Sequence, residues 1–259
     1  MNLKRTALLT LSLLATTTAA IADVATPGFN ATQVQNIEKV VHDYLVSHPE
    51  VLIEASQALQ SKQQKQMQNE ANSFIQKNAK ELLTENITTS GSKSPNVTVV
   101  EFFDYQCGHC KKMQPVMTEL VKKNPNVRVV YREFPIFGKS STLASQAAVA
   151  AALQGKYTQM QELLFNEKKI DEQSIQAIAK KAGLDMVKFQ ADMKGKAVSE
   201  NLLHNRKLAE SMKLFGTPVI IVMSTPKGQF NPNIQPVMIP GSTSLENLQQ
   251  LVMKASEAK

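Results

Sequence analysis

Residues 97–110 decide the fold of this 259-residue chain, and they read Val-Thr-Val-Val-Glu-Phe-Phe-Asp-Tyr-Gln-Cys-Gly-His-Cys. Residues 97–103 are apolar or β-branched apart from Glu101, a pattern that predicts a buried strand. Residues 111–123 carry apolar side chains three and four positions apart, which predicts a helix. Cys107 and Cys110, the two cysteines of the chain, therefore lie at a strand-to-helix turn.

A thiol pair at the start of a helix indicates redox chemistry, because the free amides of the first helical turn favour a thiolate. We expect Cys107 to be partly exposed, to have a lowered pKa and to act as the nucleophile. Cys110, one turn inside the helix, would be the resolving thiol of a redox-active disulfide. His109 lies between them and would stabilise negative charge on the thiolate, which makes the disulfide more oxidising.

Two other interpretations of the cysteine pair are weaker. A purely structural disulfide across so short a loop constrains the unfolded chain by only about 2 kcal/mol. A zinc site usually needs four ligands, and none of the four histidines lies in ligand spacing with the pair. We therefore expect neither a metal nor a cofactor.

Glu101 lies inside the predicted strand, six residues before Cys107. A carboxyl buried under the thiol pair should have a raised pKa and could relay a proton from Cys110. The alternative is an edge-facing or paired glutamate with a structural role.

A proline directly before an apolar run is the third feature of the predicted site. Thr217-Pro218 precedes residues 219–223, and an X-Pro bond at such a place indicates a cis peptide in a tight turn. The alternative is an ordinary trans proline. Beside the cysteines, this loop would leave the main chain of Thr217 free to pair with an extended substrate.

The order of predicted elements indicates the fold. Strands are predicted at 97–103, 127–134, 219–223 and 234–239, with helices at 111–123 and 245–256 and a helical block at about 140–214. The order β-α-β, helical block, β-β-α is that of an α/β thioredoxin fold with a helical insertion. Its first two strands should be parallel, since a helix connects them.

The N-terminus has the pattern of a signal peptide over residues 1–22. Lys4 and Arg5 precede a short apolar run, and a small-residue site predicts cleavage near Ala22/Asp23. A membrane anchor is the alternative, but the apolar run at 8–15 is shorter than the roughly 20 residues of a spanning helix. We expect export to the periplasm, where an oxidising environment supports disulfide chemistry.

Residues 23–90 predict an all-α oligomerisation region and linker. Helical patterns cover 32–45 and 50–83, and turn formers at 88–96 predict a linker to a domain at 91–259. The second helix is glutamine-rich with a thin apolar stripe, so it needs a partner to bury that stripe. We expect a homodimer through about residues 30–86, with a trimer as the alternative; a solvated linker helix of a monomer is the other interpretation.

The formal net charge of +7 is spread along the sequence. The lysine pairs have the pattern of solvated helix faces, and no arginine-rich block with interleaved aromatic residues is present. The composition therefore argues against nucleic-acid binding.

Residues 100–110, the helical insertion and Gly-Thr-Pro-Val at 216–219 together resemble the DsbA-like family of exported thiol-disulfide oxidoreductases, over about residues 95–257. The resemblance implies a nucleophile at Cys107, a resolving Cys110, a proton acceptor at Glu101 and a cis-Pro218 preceded by Thr217. The Gly-His dipeptide between the cysteines is similar to that of protein disulfide isomerases.

Two further features resemble particular branches of this group. Thr217 before the proline resembles the isomerase branch, DsbC and DsbG. The N-terminal helical extension resembles that of oligomeric DsbA relatives, including Com1-like and ScsC-like proteins.

These observations predict an enzyme that introduces or reshuffles disulfides in unfolded or misfolded exported proteins. A membrane redox partner would reoxidise or reduce its cysteine pair. The alternative is a holdase-type chaperone or surface protein that uses the fold for binding and whose thiols matter little.

Overall fold

The computed structural model describes residues 28–84 and 87–256. Contacts divide the chain into two compact units, Met1–Gln60 and Ser61–Lys259. The predicted signal peptide and its cleavage site lie outside the described residues. Within the described part, no helix is both long enough and apolar enough to cross a membrane.

The first unit contains helix α1, Ala31–Ser47, and the beginning of α2, Glu50–Leu83. Asn30 caps α1, since its side chain accepts from the Gln33 amide at 2.9 Å and the Gln33 side chain accepts in return from the Asn30 amide. No residue of α1 is buried. Both predicted helices are present, and the apolar side chains of this unit are exposed: Phe29, Ile37, Val40, Val41, Tyr44, Val46, Leu52, Ile53 and Leu59.

The last part of α2 belongs to the second unit and is packed. Ile75 and Leu82 are fully buried, in one cluster with Phe102 and Val130 of the sheet. This corrects the prediction that the whole apolar stripe at 50–83 awaits a second copy. The stripe between Ala71 and Leu82 is covered by the sheet of its own chain.

The strands of the described residues are β1 Thr89–Gly91, β2 Val97–Phe103, β3 Val127–Glu133, β4 Val219–Ser224 and β5 Val237–Pro240. They form one sheet in the order β1-β3-β2-β4-β5. β2 and β3 are parallel, as predicted, and the other neighbouring pairs are antiparallel. Every residue of the central strands β2 and β4 is buried, as expected for strands covered on both faces.

The sheet differs from the sequence prediction in one additional strand and in the start of the last strand, and the other strand ends agree with the prediction to within one residue. β1 lies inside the predicted linker at 88–96, where it pairs with β3 and continues the sheet by one strand. The last strand starts at Val237 and not at Ile234, because Pro236 has no amide to donate to a ladder.

The second unit contains helices α3 Gly108–Lys123, α4 Lys139–Ala152, α5 Tyr157–Asn166, α6 Glu172–Lys181, α7 Met186–Met193, α8 Lys196–Ser211 and α9 Leu245–Ser256. Helices α4 to α8 form the helical insertion predicted at about 140–214. Helices α3 and α9 cover one face of the sheet, while α8 and the last part of α2 cover the other. The chain is a mixed α/β protein with a thioredoxin-like fold and an N-terminal helical region, so the predicted fold class is confirmed.

Candidate active site

Cys107 is the N-cap residue of α3. Its backbone is extended, and the helix begins at Gly108. The carbonyl oxygen of Cys107 accepts the Lys111 amide at 3.0 Å, while the amides of His109 and Cys110 in the first turn stabilise negative charge on the Cys107 sulfur. Both cysteines are free thiols, so the structure represents the reduced form of the pair.

The pKa of the Cys107 thiol lies below its ordinary value. Burial is the largest single influence and raises this pKa, but the side chain of Thr217 and the amides of Cys110 and His109 together outweigh it by stabilising the thiolate. The thiol also donates to the Thr217 carbonyl at 3.2 Å. Such surroundings are typical of an attacking thiol.

Cys107 is less accessible than the sequence suggested, with 6% of its surface exposed. The reason is the loop before β4, since the main chain of Thr217 lies directly on the sulfur. A client must therefore approach along this loop to reach the Sγ of Cys107.

Cys110 differs from Cys107 in burial and in proton affinity. It is fully buried. Burial, the largest influence, raises the pKa of Cys110 well above its ordinary value, and the charge of Glu101 adds to this. The pair therefore has one thiol that ionises readily and one that holds its proton, which is the asymmetry that an attacking and a resolving cysteine need.

Glu101 lies on β2 with 3% of its surface exposed, on the face that α3 covers. Burial raises the pKa of its carboxyl to about 8, and the charges of Glu133 and Cys107 contribute. The predicted burial and raised pKa are thus both present. A carboxyl that titrates near neutral pH can exchange a proton with a buried thiol.

The Thr217–Pro218 peptide bond is cis, as predicted. Pro218 is buried, and its carbonyl accepts the Gly241 amide at 2.8 Å, which ties the loop to the end of β5. The Thr217 hydroxyl is buried and has no hydrogen-bond partner among the described residues while both cysteines are thiols. It is therefore available to donate to a thiolate, and it lowers the pKa of both cysteines. The structure therefore brings the predicted residues 101, 107, 110, 217 and 218 together.

His109 lies on the solvent side of the pair. Its side chain is exposed, and Nδ1 is 3.4 Å from the Ser242 hydroxyl in the loop between β5 and α9. In the same loop, the Thr243 amide donates to the Met113 sulfur at 3.3 Å. This loop forms the third side of the site, beside the start of α3.

Asp104 holds the active-site turn in place, a function that the sequence analysis missed. It is fully buried. Oδ1 accepts the Gln106 amide and the Ser141 hydroxyl, each at 2.7 Å. Oδ2 accepts the amides of Ile136 and Phe137 at 2.7 and 3.0 Å. The one carboxylate joins the turn before Cys107 to the segment between β3 and α4.

A second buried carboxyl, Glu133 at the end of β3, was also missed. Its Oε1 accepts the hydroxyls of Tyr157 and Tyr105 at 2.9 and 3.1 Å, and Ser145 further stabilises the anion. Burial, the main influence, nevertheless raises the pKa of Glu133 above its ordinary value. The sequence did contain an indication of this site, because Glu133 is an acidic residue inside the predicted strand at 127–134.

A groove of about 560 Å³ lies between the segment after β3, helix α8 and the loop before β4, and its lining combines apolar side chains with the charged Arg206, Glu210 and Lys213. Phe215 forms part of it and is 93% exposed, two residues before Thr217. Ile136 also lines the groove and is exposed, as is its chain neighbour Phe137. Exposed apolar side chains next to a reactive thiol are typical of a surface that receives another protein.

No cluster of three or more metal-ligating side chains occurs in residues 28–84 and 87–256.

Fold and site together define a thioredoxin-like protein with a redox cysteine pair, and the comparisons with known proteins agree. Residues 98–253 match the family model of the DSBA-like thioredoxin domain, and residues 33–66 match that of the copper resistance protein ScsC N-terminal domain. The chain belongs to the DsbA-like thiol-disulfide oxidoreductase family.

Two curated relatives cover about half of the chain. The Na(+)/H(+) antiporter NhaA 3 of Salinispora tropica is 27% identical over 135 residues, which are 51% of this chain and 21% of the antiporter. The chain thus spans about a fifth of that relative. The thiol:disulfide interchange protein DsbA of Bordetella pertussis is 28% identical over 140 residues, 49% of this chain and 63% of that protein.

Two solved structures cover more. Salmonella enterica Typhimurium BcfH is 31% identical with a TM-score of 0.71, and the match covers 87% of this chain and 96% of that one. A thioredoxin-like oxidoreductase from Silicibacter pomeroyi is 33% identical with a TM-score of 0.62, over 70% of this chain and 98% of that one. The match with BcfH therefore extends beyond residues 98–253 into the N-terminal helices.

Proposed function

We propose that this protein is an exported thiol-disulfide oxidoreductase that forms or isomerises disulfide bonds in other exported proteins. The observation that carries the proposal is the difference between the two thiols. Cys107 has a lowered pKa at the start of α3, whereas burial raises the pKa of its neighbour Cys110. A structural cysteine pair needs no such difference, while thiol exchange does.

In the oxidising direction, a client thiolate attacks the Sγ of Cys107 in the Cys107–Cys110 disulfide. The bond between the two enzyme sulfurs breaks, and Cys110 leaves and takes up a proton. A second client thiolate then attacks the client sulfur of the mixed disulfide and releases Cys107 as a thiolate. The client gains a disulfide, and the enzyme is left as the dithiol.

In the isomerising direction, the Cys107 thiolate attacks an incorrect disulfide of the client. The mixed disulfide resolves when another client thiolate, or Cys110 after losing its proton, attacks. Glu101 is the acceptor for that proton, since it lies in the interior beside the pair and titrates near pH 8. Each direction needs a membrane redox partner that resets the cysteine pair.

His109 and the loop before β4 complete the proposed site. His109 stabilises the thiolate electrostatically from the exposed side. Thr217 and Pro218 bind the client, because an extended chain can pair with the main chain of Thr217 once the Cys107 thiol no longer occupies its carbonyl. The exposed side chains of Ile136, Phe137 and Phe215 would then contact apolar residues of an unfolded or misfolded client.

Export is part of the proposal and rests on the signal-peptide pattern at residues 1–22. Removal of this segment near Ala22/Asp23 would place the mature protein in the periplasm. The match of residues 98–253 to the DSBA-like family agrees with that compartment, because disulfide formation requires oxidising surroundings.

We further propose that residues 23–90 assemble copies of the chain, as a homodimer or, alternatively, as a trimer, and that residues 91–259 form the catalytic domain. The exposed apolar side chains between Phe29 and Leu59 support this proposal. So does the match of residues 33–66 to the ScsC N-terminal domain model. Within residues 30–86, we place the assembly surface before Ala71, because Ile75 and Leu82 are already buried within their own chain.

A holdase-type chaperone is the second candidate, and the 93% exposure of Phe215 favours it. A serine substitution of Cys107 separates the two functions. As an oxidoreductase, the Cys107→Ser variant should lose insulin reduction and oxidative refolding entirely, while its melting temperature stays within a few degrees of the wild type. If the protein is a chaperone, the Cys107→Ser variant would still prevent aggregation of a client protein and would still complement a deletion strain.

The Cys110→Ser variant provides a matched control, because it keeps the nucleophile and removes the resolving thiol. It should accumulate mixed disulfides with clients, visible on non-reducing gels. Thiol trapping in cells then gives the direction of electron flow: a mostly oxidised pair indicates an oxidase, and a mostly reduced pair indicates an isomerase or reductase.

A further inference from the structure

Glu133 lies beside Glu101 inside the protein. Parallel strands β2 and β3 pair Glu101 with Tyr131 and Phe103 with Glu133. Glu133 is therefore the diagonal neighbour of Glu101 on the sheet face that α3 covers. Glu133 has no exposed surface and Glu101 has 3%. Neither carboxyl forms an ion pair with a basic side chain anywhere in the described part of the chain.

The two carboxyls differ in their hydrogen bonds. Oε1 of Glu133 accepts from the hydroxyls of Tyr157 and Tyr105, at 2.9 and 3.1 Å. The Glu101 carboxyl has no hydrogen bond with another described residue. Because hydrogen-bond donors stabilise a carboxylate, the first negative charge of the pair resides on Glu133. A second charge on Glu101 is then opposed by burial and by the charge already present.

We propose that Glu133 is a positioning residue for proton transfer, whose carboxylate keeps a proton on Glu101 until Cys110 leaves the disulfide. The inference rests on the thiol-disulfide exchange proposed above. It assigns a function to a buried charge that the reaction steps described so far do not use.

In the oxidising direction, the proton moves from Glu101 to Cys110 as the enzyme disulfide opens. A client thiolate forms a bond to the Sγ of Cys107, and the bond between the two enzyme sulfurs breaks with its electron pair going to Cys110. Protonated Glu101 transfers its proton to that sulfur, so Cys110 becomes a thiol and Glu101 a carboxylate. In reverse, the Glu101 carboxylate takes the proton from Cys110, and the Cys110 thiolate attacks Cys107 and expels the client thiolate.

The charge of Glu133 sets the pH range of this transfer. With Glu133 ionised, Glu101 retains its proton to higher pH, and the proton is present when Cys110 leaves. Several other titratable groups face the two carboxyls: Asp104 and Tyr105 in the turn after β2, Tyr131 on β3, Tyr157 on α5, and Cys107 and Cys110 at the start of α3. None of them is a cation that could replace the proton on Glu101.

The test is the pH dependence of disulfide reduction in the oxidised full-length protein. Glutathione reduces wild type and Glu133→Gln between pH 5 and 10, and acid quenching with maleimide mass analysis counts the free thiols. A small disulfide run in parallel corrects for the thiolate fraction of glutathione. Without the charge of Glu133, the midpoint assigned to Glu101 should move to lower pH by about one unit. Between the two midpoints the corrected rate should fall by up to about tenfold.

Superimposable profiles for wild type and Glu133→Gln would overturn the inference. Glu133→Asp keeps the charge and should restore most of the wild-type midpoint; a shift as large as that of the glutamine variant would assign the effect to packing. Tyr157→Phe keeps the carboxyl and removes one donor, so it should shift the profile in the same direction by less. This variant also serves if Glu133→Gln does not fold, and an unshifted profile would then reject the inference.

The experiment separates this inference from the proposed function. If glutathione reduces the Cys107–Cys110 disulfide of the wild type no faster than it reduces the small reference disulfide, the oxidoreductase proposal fails and the function of Glu133 fails with it. If the wild type exchanges with a pH-dependent rate that Glu133→Gln leaves unchanged, only the function of Glu133 fails. Glu172→Gln, at the exposed start of α6, is the matched control and should leave the profile unchanged.

Discussion

The guanidinium of Arg132 holds the end of α2 through the carbonyl oxygen of Leu82, to which its Nη2 donates at 2.9 Å. The same nitrogen donates to the Glu81 carbonyl at 2.7 Å, and Nη1 donates to the Asn205 side chain on α8 at 3.2 Å. The last carbonyls of a helix lack donors within the helix and carry partial negative charge. A buried cation therefore stabilises them both by donating hydrogen bonds and by its positive charge. One side chain thereby connects α2, β3 and α8.

The Arg132→Met variant should be less stable than the wild type by about 2–4 kcal/mol. It retains apolar volume but leaves the carbonyls of Glu81 and Leu82 without these donors, and a buried unsatisfied group costs about 1–3 kcal/mol. Urea denaturation measures the loss. Arg206→Met, at an exposed position of α8, is the matched control and should stay within about 0.5 kcal/mol. Equal losses for the two variants would contradict the anchoring function of Arg132.

Two truncations should separate assembly from folding. A chain beginning at Ser61 keeps the packed part of α2, so we expect a monomer with the stability of the wild-type catalytic unit. A chain beginning at Thr88 loses the burial of Ile75 and Leu82, which at about 1.5–3 kcal/mol per side chain makes it less stable by about 3–6 kcal/mol. Light scattering and urea denaturation test both. A multimeric mass for the Ser61 chain would rule out assembly through the preceding residues.

The sequence predicted the features that have a local pattern. Cys107 and Cys110 at a strand-to-helix turn, the cis bond before Pro218 and the buried Glu101 all follow from short stretches whose residue types allow few structures. The parallel pairing of β2 with β3 also followed, because the helix between them carries the chain back to the end of the sheet where β2 began.

What the sequence did not predict depends on contacts between distant residues. The glutamine-rich pattern of α2 does not show that Ile75 and Leu82 lie against the sheet, since the covering strand residues are 18 to 148 positions away along the chain. The strand Thr89–Gly91 is three residues long in a stretch of turn formers, so it exists only through its pairing with β3. Asp104 and Glu133 likewise gain their functions from partners in other elements.

Asp104 offers a test of how the active-site turn is held. The Asp104→Ala variant leaves four donors without their carboxylate, so we expect a loss of about 3–5 kcal/mol in urea denaturation. Alkylation of Cys107 should also become less pH-selective, because the turn before it is no longer fixed. Ser141→Ala removes only one donor and should cost about 1 kcal/mol. A loss for Asp104→Ala no larger than this control would contradict the proposed anchoring.

Thr217 is expected to act on Cys107 through its hydroxyl as well as its main chain. Thr217→Val keeps the shape of the side chain and removes the group that stabilises the thiolate, so the pKa of Cys107 should rise. A hydrogen bond worth about 0.5–1.5 kcal/mol makes the alkylation rate below the midpoint about twofold to twelvefold slower. Iodoacetamide labelling across pH measures the change. Thr118→Val, on the exposed side of α3, is the control, and equal profiles for the two variants would exclude the hydroxyl.

The buried carboxyl of Glu101 should make the folded protein less stable as pH rises from about 4.5 to about 8. In that interval the folded state retains a proton on Glu101, whose pKa is raised to about 8 by burial and by the charge of Glu133, while the unfolded chain has lost it. The unfolding free energy then falls by about 1.4 kcal/mol per pH unit. Because the folded state binds more protons than the unfolded state, the slope has this sign and levels off above the folded pKa.

The Glu101→Gln variant tests whether the proton on Glu101 causes this pH dependence. It has no carboxyl to ionise at that position, so its stability should fall less steeply between pH 4.5 and 8. It should therefore match the wild type near pH 4.5 and exceed it by a few kcal/mol at pH 8. Urea denaturation at several pH values provides the curves, with Glu172→Gln as the exposed control that should follow the wild type. If the wild type is as stable at pH 8 as at pH 5, or if Glu101→Gln follows the wild-type slope, Glu101 does not hold its proton in the folded protein.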